Sequence, residues 1–207
     1  DNKPLSAFPP RVRARRIAFI EQRPDLAFDF SVERVIGFGA YAAGVDPAGT
    51  GEAMDRFELR TLKAAPYGSL SVGQQQRVSI ARAWVQIARR PDSCLLADEP
   101  CSAMDPRHTL LTMHAVRELA AIGVGVGIVI HDLSIAARFA DRAIVLGSRG
   151  ELVREGDAHA VLTGEVLSGV FQTPILRHEI PGSHAVLTAI DPGGADGPHE
   201  APSRDIL

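Results

Sequence analysis

Two short segments of this chain carry residue types that could act on a phosphate group. Ser71 and Gly73 precede an amphipathic pattern, so backbone N–H groups there would lie at the positive end of a helix, where anions bind. The mostly apolar run at 94–97 ends in Asp98 and Glu99, which predicts a buried strand with two carboxylates at its carboxyl end. One carboxylate can hold hydrated Mg²⁺ and the other can orient an attacking water. Together the segments predict half of a site for phosphate hydrolysis.

The spacing of apolar residues predicts the elements that position these segments. Strands and helices alternate along the chain, which favours an α/β fold with a mostly parallel sheet flanked by helices. The predicted strands are 16–20, 94–97, 124–130 and 142–146, and the predicted helices are one that begins at Ser31, then 52–64, 71–90, 106–121 and 133–140. Three glycines are expected to end the helix after Ser31 early, which leaves 40–51 as a loop. A hairpin to 152–155 and short helices within 157–171 are predicted to follow.

Composition narrows the class of protein. With 207 residues, 45% of them hydrophobic, the chain is long enough for one substantial core, which we place at 1–190. The tail at 191–207 is rich in proline and glycine, and we expect it to be flexible. A net charge of -3 and a single short arginine cluster at 11–16 predict no nucleic-acid partner. Two cysteines without metal-ligand spacing indicate a reducing cytosol. No apolar run is long enough for a bilayer, so any membrane role is expected to come from a partner.

The segments Leu70–Val78 and Cys94–Pro100 resemble, in order and spacing, the signature and Walker B motifs of the ATP-binding subunits of ABC transporters. The resemblance implies a P-loop NTPase-like fold with a small helical subdomain at about 24–90. It also implies an ATPase that uses ATP and Mg²⁺, in which Asp98 holds the metal and Glu99 is the catalytic base. The alternative for the acidic pair is a strand end without catalytic function.

The signature residues act across a dimer in the family that this chain resembles. By that resemblance, Ser71, Gly73 and Gln74 contact the γ-phosphate of ATP bound to a second copy, so a homodimer completes the site. Val72 departs from the family's usual glycine, and its β-branched side chain is expected to weaken this contact.

The resemblance assigns roles to three more residues. His131, after an apolar strand, is similar to the switch histidine that contacts the γ-phosphate, and Gln22 to the glutamine that contacts Mg²⁺ and the attacking water. Asp105 would cross the dimer interface. The alternatives are a polar strand end for His131, a surface loop residue for Gln22 and an N-cap of the helix at Pro106 for Asp105, which is compatible with the interface role.

One expected motif of the family does not occur in the sequence. Gly-x-x-x-x-Gly-Lys-[Ser/Thr], whose amides and lysine cradle phosphates, is found nowhere in the 207 residues, so the resemblance covers about Arg11–Leu187. Tight Mg-ATP binding by this polypeptide alone is therefore not expected. We expect a cassette with a truncated N-terminal part; a partial gene and a degenerate subunit are the alternatives.

Less specific similarities concern the type of transporter. The stretches 27–36, 105–108 and 162–171 resemble the ATPase subunits of importers for haem, siderophores and cobalamin, and haemin import is preferred. This implies a transmembrane permease as partner, a periplasmic substrate-binding protein as indirect partner, and a peripheral position on the cytoplasmic face of the bacterial inner membrane. Two other classes of protein are the alternatives. An ABC ATPase of DNA maintenance would need coiled-coil or zinc-bearing insertions, which this sequence lacks, whereas a non-enzymatic interaction subunit would fit the missing loop.

Overall fold

The computed structural model describes residues 4–22, 26, 28–45, 47–179 and 186–190, with Glu179 and the last range described by backbone only. The helices are α1 (Pro10–Arg16), α2 (Val32–Ala43), α3 (Gly49–Arg56), α4 (Val72–Ile87), α5 (Pro106–Ala121), α6 (Leu133–Phe139), α7 (Ala158–Val161) and α8 (Gly164–Phe171). The strands are β1 (Ile17–Ile20), β2 (Cys94–Asp98), β3 (Gly125–Val129), β4 (Arg142–Leu146), β5 (Leu152–Asp157), β6 (Ile175–Glu179) and β7 (Val186–Ile190). Across these ranges, every helix is too short or too polar to span a bilayer.

Contacts divide the described residues into two compact units, one ending at His131 and the other beginning at Asp132. The first unit contains a parallel sheet in the order β1-β2-β3. Because side chains alternate along a strand, one sheet face buries Ala18 and Leu95 in a core shared with α4 and α5. The opposite face leaves Phe19 and Leu96 exposed. The predicted α/β class with a parallel sheet is confirmed.

Helix α2 is longer than the sequence suggested. It begins after the predicted N-cap Ser31, whose hydroxyl accepts from the N–H of Arg34, but it continues through two glycines to Ala43. Gly39 does not end the helix because it faces α4, where a Cβ would overlap the carbonyl oxygen of Arg82. The helix ends at Gly44, which has a left-handed φ of 67°. The predicted loop at 40–51 was therefore wrong at both of its ends, which belong to α2 and α3.

The helix predicted at 52–64 is replaced by shorter elements. Helix α3 ends at Arg56, Glu58 follows with a left-handed φ of 55°, and a single 3₁₀ turn covers Arg60–Leu62. A continuous helix cannot pass through a residue with positive φ. By contrast, α4 starts after Ser71 as predicted but ends at Ile87 instead of at Arg90, and α5 has the predicted bounds.

The second unit contains two antiparallel hairpins. The strand predicted at 142–146 is present as β4, and the predicted hairpin to 152–155 is confirmed, because β4 pairs antiparallel with β5. β4 is thus not a strand of a parallel sheet. The five-residue connection between β4 and β5 is too short for a parallel crossover and brings the chain straight back. The short helices α7 and α8 confirm the prediction for 157–171, whereas the β6–β7 hairpin was not predicted. The tail predicted at 191–207 lies outside the described residues.

Candidate active site

The acidic pair lies where the sequence predicted it, at the carboxyl end of the central strand. Asp98 is the last residue of β2, and Glu99 follows it immediately. The backbone of Glu99 has a φ of 44°, which is uncommon for a residue with a side chain, and its N–H donates to the carbonyl of Val129 at 3.0 Å. This hydrogen bond extends the β2–β3 pairing by one residue and fixes the direction in which the partly buried Glu99 side chain leaves the sheet.

Glu99 and His131 are brought into direct contact. Asp98 pairs with Val129 in the parallel register, so the residues that follow β2 and β3 lie at the same edge of the sheet. His131 Nε2 is 2.7 Å from Glu99 Oε1, within hydrogen-bond distance, and the imidazole is exposed. The sequence identified both residues separately but could not give their contact, which depends on the strand register. A hydrogen bond from the imidazole to one oxygen leaves the other carboxylate oxygen to accept a proton from water.

The described residues at this strand end fit Mg²⁺ only as part of its ligand shell. Among the described residues, no three histidine, cysteine, aspartate or glutamate side chains are grouped closely enough to hold a metal. Mg²⁺ commonly takes one or two protein carboxylates and completes its shell with water and substrate phosphates. Asp98, partly buried at the strand end, fits the role of such a single ligand. The thiol of Cys101 is not a candidate, because Mg²⁺ takes oxygen ligands. Burial raises the pKa of this thiol to about 12.

The start of α4 is held by a reciprocal pair of hydrogen bonds. The Ser71 hydroxyl accepts from the N–H of Gln74 at 3.3 Å, and the Gln74 side-chain oxygen accepts from the N–H of Ser71 at 2.9 Å. Two residues predicted to bind phosphate therefore cap the helix. The N–H of Gln75 donates to the Ser71 carbonyl, which leaves those of Val72 and Gly73 as the first-turn donors that could face an anion.

Gly73 has a packing role that the sequence did not reveal. A Cβ at this position would overlap the carbonyl oxygen of Ala103, so only glycine allows the start of α4 to lie directly against the loop after Glu99. Val72, in contrast, is exposed at the first helical position. Its predicted effect on phosphate contact stays a prediction.

Asp105 is the N-cap of α5. One carboxylate oxygen accepts from the backbone N–H of His108 at 3.0 Å, and the other is 2.6 Å from His108 Nδ1. These interactions, the backbone hydrogen bond first, hold the pKa of the Asp105 carboxyl below its usual value. The capping alternative is therefore confirmed, while a role of Asp105 across a dimer interface stays a prediction.

Among the described residues, Gln22 contacts the candidate site through its backbone carbonyl, not through its side chain. It follows β1, its side chain is exposed, and its carbonyl accepts from Gln76 Nε2 at 3.4 Å. Gln76 was missed as a site residue. The signal was nevertheless present, since Gln76 lies four residues before Ile80 on the apolar stripe of α4, and a buried amide on such a stripe needs hydrogen-bond partners.

Comparisons with known proteins agree with this arrangement. A family model described as "ABC transporter" matches residues 1–102. The Hemin import ATP-binding protein HmuV of Shewanella denitrificans is 40% identical over 178 residues, which cover 82% of this chain and 68% of that protein. HmuV of Pseudomonas aeruginosa is 37% identical over 197 residues, or 91% of this chain and 76% of the relative.

Solved structures share the fold. A metal-chelate type ABC transporter in an inward-facing conformation matches with a TM-score of 0.66 at 22% identity, over 86% of this chain and 72% of that chain. An ATP-binding cassette solved as a post-hydrolysis dimer with ADP and Pi matches with a TM-score of 0.62 at 27% identity, over 72% and 65% of the two chains. One conclusion follows from the signature-like helix start, the acidic pair at a strand end, the extent of the sequence identity and the shared fold. This chain belongs to the ATP-binding proteins of the ABC transporter family.

Proposed function

We propose that this chain is the ATP-hydrolysing subunit of a haemin importer. The observation that supports the hydrolytic role most directly is the 2.7 Å contact between Glu99 and His131 at the carboxyl edge of the parallel sheet. A carboxylate held by the backbone and by an imidazole is suited to accept the proton of a water that attacks a phosphate. His131, being exposed, is placed to respond to the charge of a γ-phosphate.

The substrate under this proposal is ATP with its Mg²⁺. Asp98 would supply a carboxylate ligand to the metal, and Gln22 would contact the metal and the attacking water. Ser71, Gly73 and Gln74 would bind the γ-phosphate held by a second copy, so the active form would be a head-to-tail homodimer. Among the described residues, the N–H groups of Val72 and Gly73 at the start of α4 have no hydrogen-bond acceptor, which supports this assignment because helix N-termini bind phosphate.

Haemin as the cargo is proposed from the names of relatives at 34–40% identity, all of them hemin import ATP-binding proteins. The cargo would be selected by a transmembrane permease and a periplasmic binding protein. The chain would dock on that permease at the cytoplasmic face of the membrane. Import of a siderophore or of cobalamin is the second candidate, since the sequence also resembles the ATPases of those importers.

A degenerate subunit without ATPase activity is a second candidate for the function itself. It is favoured by the absence of Gly-x-x-x-x-Gly-Lys-[Ser/Thr] from the 207 residues. Translation of the gene in frame upstream of Asp1 separates the two candidates. A strand pattern followed by this motif would favour the active subunit, and unrelated sequence would favour the degenerate one.

Phosphate release by the product of the complete gene, including whatever is encoded upstream of Asp1, and by its Glu99→Gln variant tests the hydrolytic role. We expect Glu99→Gln to lower turnover by about 10² to 10⁴ fold while ATP binding persists, because the amide keeps the shape but cannot accept the proton. Glu155→Gln, an exposed acid in β5, is the matched control and should match the parent. Equal hydrolysis by Glu99→Gln and the parent would contradict the role of Glu99, and no hydrolysis by the parent would favour the degenerate subunit.

Growth of a strain that lacks this gene tests the cargo. With haemin as the iron source, the parental gene should restore growth and the Glu99→Gln gene should not. Growth on a ferric siderophore, and cobalamin-dependent growth, should not require the gene. A requirement limited to either of these nutrients would replace haemin as the proposed cargo.

A further inference from the structure

A single buried side chain connects three segments of the candidate site. Gln76 is 1% exposed and lies on α4, one turn after the capped helix start. Its Nε2 donates to the Ser102 hydroxyl at 3.0 Å and to the Gln22 carbonyl at 3.4 Å, and its Oε1 accepts from the N–H of Ala103 at 3.1 Å. The partners come from residues 54 and 26 or 27 positions away in the sequence. Both donor hydrogens and the acceptor of the amide are thus engaged.

The loop that Gln76 holds is the one that begins at Glu99. The N–H of Ser102 donates to the Glu99 carbonyl at 3.2 Å, so Ser102 belongs to the same tight turn as the candidate base. Ala103 is fixed a second time, because its carbonyl lies against the glycine surface of Gly73. The turn therefore contacts α4 in two ways. Gln76 forms hydrogen bonds with Ser102 and Ala103, and Gly73 packs against the Ala103 carbonyl.

We infer that Gln76 is a positioning residue that holds the turn from Glu99 to Ala103, and the backbone at Gln22, in a fixed relation to the start of α4. The inference rests on the proposed function, in which these segments act on one nucleotide. Burial makes the role specific, since an apolar side chain at position 76 would leave the Ala103 N–H and the Gln22 carbonyl without this partner.

Amide hydrogen exchange on the 207-residue chain tests the inference without requiring ATP hydrolysis. In Gln76→Leu we expect exchange at residues 102–104 to rise about tenfold, because a buried hydrogen bond to this segment is lost. Gln75→Leu is the matched control. Gln75 is the neighbouring amide on the same helix, and its Nε2 donates to the Tyr67 carbonyl at 3.2 Å instead. The control should leave exchange at 102–104 within about twofold of the parent.

Two exchange results would overturn the inference. One is unchanged exchange at 102–104 in Gln76→Leu. The other is an equal rise in both leucine variants or along the whole of α4, which would show a general loss of stability instead of local positioning.

A second variant keeps the test decisive if Gln76→Leu does not fold. In Gln76→Glu a neutral carboxyl keeps one donor and one acceptor, whereas the ionised carboxylate cannot donate to the Gln22 carbonyl and is repelled by it. Burial favours the neutral form. The ratio of exchange rates at 102–104 between Gln76→Glu and the parent should therefore approach one as the pH falls from about 7 to about 5. A ratio that is independent of pH would contradict the role of the donor.

Steady-state kinetics then connect the residue to the reaction. If the product of the complete gene hydrolyses ATP, Gln76→Leu in that protein should lower kcat and leave KM for ATP within about twofold, because Gln76 positions the base without touching nucleotide. A change confined to KM would overturn the inference. If the product of the complete gene does not hydrolyse ATP, the proposed function fails, and the exchange data still decide the positioning role of Gln76.

Discussion

Glu99 combines a left-handed backbone with a hydrogen-bonded carboxylate, and the two properties have opposite effects on stability. A φ of 44° costs a residue with a Cβ free energy, while the contact with His131 returns only a modest amount at an exposed imidazole. Residues held in such conformations are concentrated at functional sites. Glu58 and Gln172 also have left-handed φ without belonging to the proposed site, so the conformation of Glu99 is compatible with the catalytic role but does not establish it.

Replacing Glu99 by glycine and by alanine separates the two properties. Both variants lose the carboxylate, but only glycine removes the steric cost of the left-handed backbone. Glu99→Gly should therefore be more stable than Glu99→Ala by about 1 kcal/mol in urea unfolding, and both should be inactive in hydrolysis. Equal stability of the two variants would show that the backbone at this position relaxes when the side chain is shortened.

The sequence predicted the identity and edge position of the candidate site residues but not their contacts. An apolar run followed by Asp98 and Glu99 is sufficient to place carboxylates at a strand end. The contact with His131 requires the register of two strands that are separated by α5, and the sequence pattern does not contain that register. The role of Gln76 requires knowledge of which loop lies over the helix.

At the scale of elements, close helix packing explains why glycine patterns misled the prediction. Glycines within a helical pattern commonly signal an end of the helix, because they weaken it. In α2 the glycine at position 39 is instead the point of closest approach to α4. Local propensity was overridden by packing between helices, which the sequence of one helix cannot show.

Two glycines of α2 should respond to alanine in opposite ways. Gly37→Ala should stabilise the chain by about 0.5–1 kcal/mol, because its added methyl meets no atom within 4 Å and favours the helix. Gly39→Ala should destabilise it by about 1–3 kcal/mol, because the methyl would overlap the backbone of Arg82. Thermal or urea unfolding measures both effects. Stabilisation by Gly39→Ala would contradict the close packing of α2 and α4.

The cap of α5 predicts a dependence of stability on pH. The pKa of Asp105 is lowered from 3.8 in the folded chain, chiefly by the backbone N–H of His108, so its ionised form stabilises the fold. This contribution is present above pH 3.8 and is lost as the pH falls through the lower folded pKa. Asp105→Asn keeps a capping oxygen but does not titrate there.

Urea unfolding of the parent and of Asp105→Asn between about pH 2 and pH 6 measures the contribution. The free energy of unfolding of the parent should exceed that of the variant by a constant amount above about pH 5. This difference should disappear at the acid end of the range. If the parent instead gained stability relative to Asp105→Asn as the pH falls, ionisation of Asp105 would destabilise the fold.

At the scale of the whole molecule, each unit has a hydrophobic cluster of its own. The cluster of the first unit includes residues of β1, β2, α2 and α4, and that of the second includes residues of β4, α7 and α8. The sequence indicated one domain over 1–190, and this boundary stays a prediction. Apolar patterns identify which face of each element is buried, but they do not identify which faces share a core.

The exposed sheet face of the first unit predicts a property of the isolated chain. Phe19 is 50% exposed and Leu96 is 42% exposed, and they are neighbours on adjacent strands. Parallel sheets are usually covered on both faces, so this face should bind apolar dyes and favour self-association. A double variant with Phe19→Thr and Leu96→Thr should lower anilinonaphthalene sulfonate fluorescence by about half or more and reduce concentration-dependent sedimentation.

The control for this experiment is Tyr41→Thr, which removes a single exposed aromatic from α2. It should change neither dye fluorescence nor sedimentation, because isolated exposed apolar residues are common on protein surfaces. Equal dye binding by the double variant and the parent would place the apolar surface elsewhere in the chain.

The contact between Gly73 and Ala103 determines which signature positions can vary during evolution. Any side chain at position 73 would displace the loop after Glu99 within the same polypeptide, before a nucleotide or second copy is involved. Position 72 is exposed, so the chain can carry valine there without disturbing its own fold. A substitution of Gly73 is therefore expected to disturb folding as well as any phosphate contact, whereas a substitution of Val72 is expected to act only through what binds to that surface.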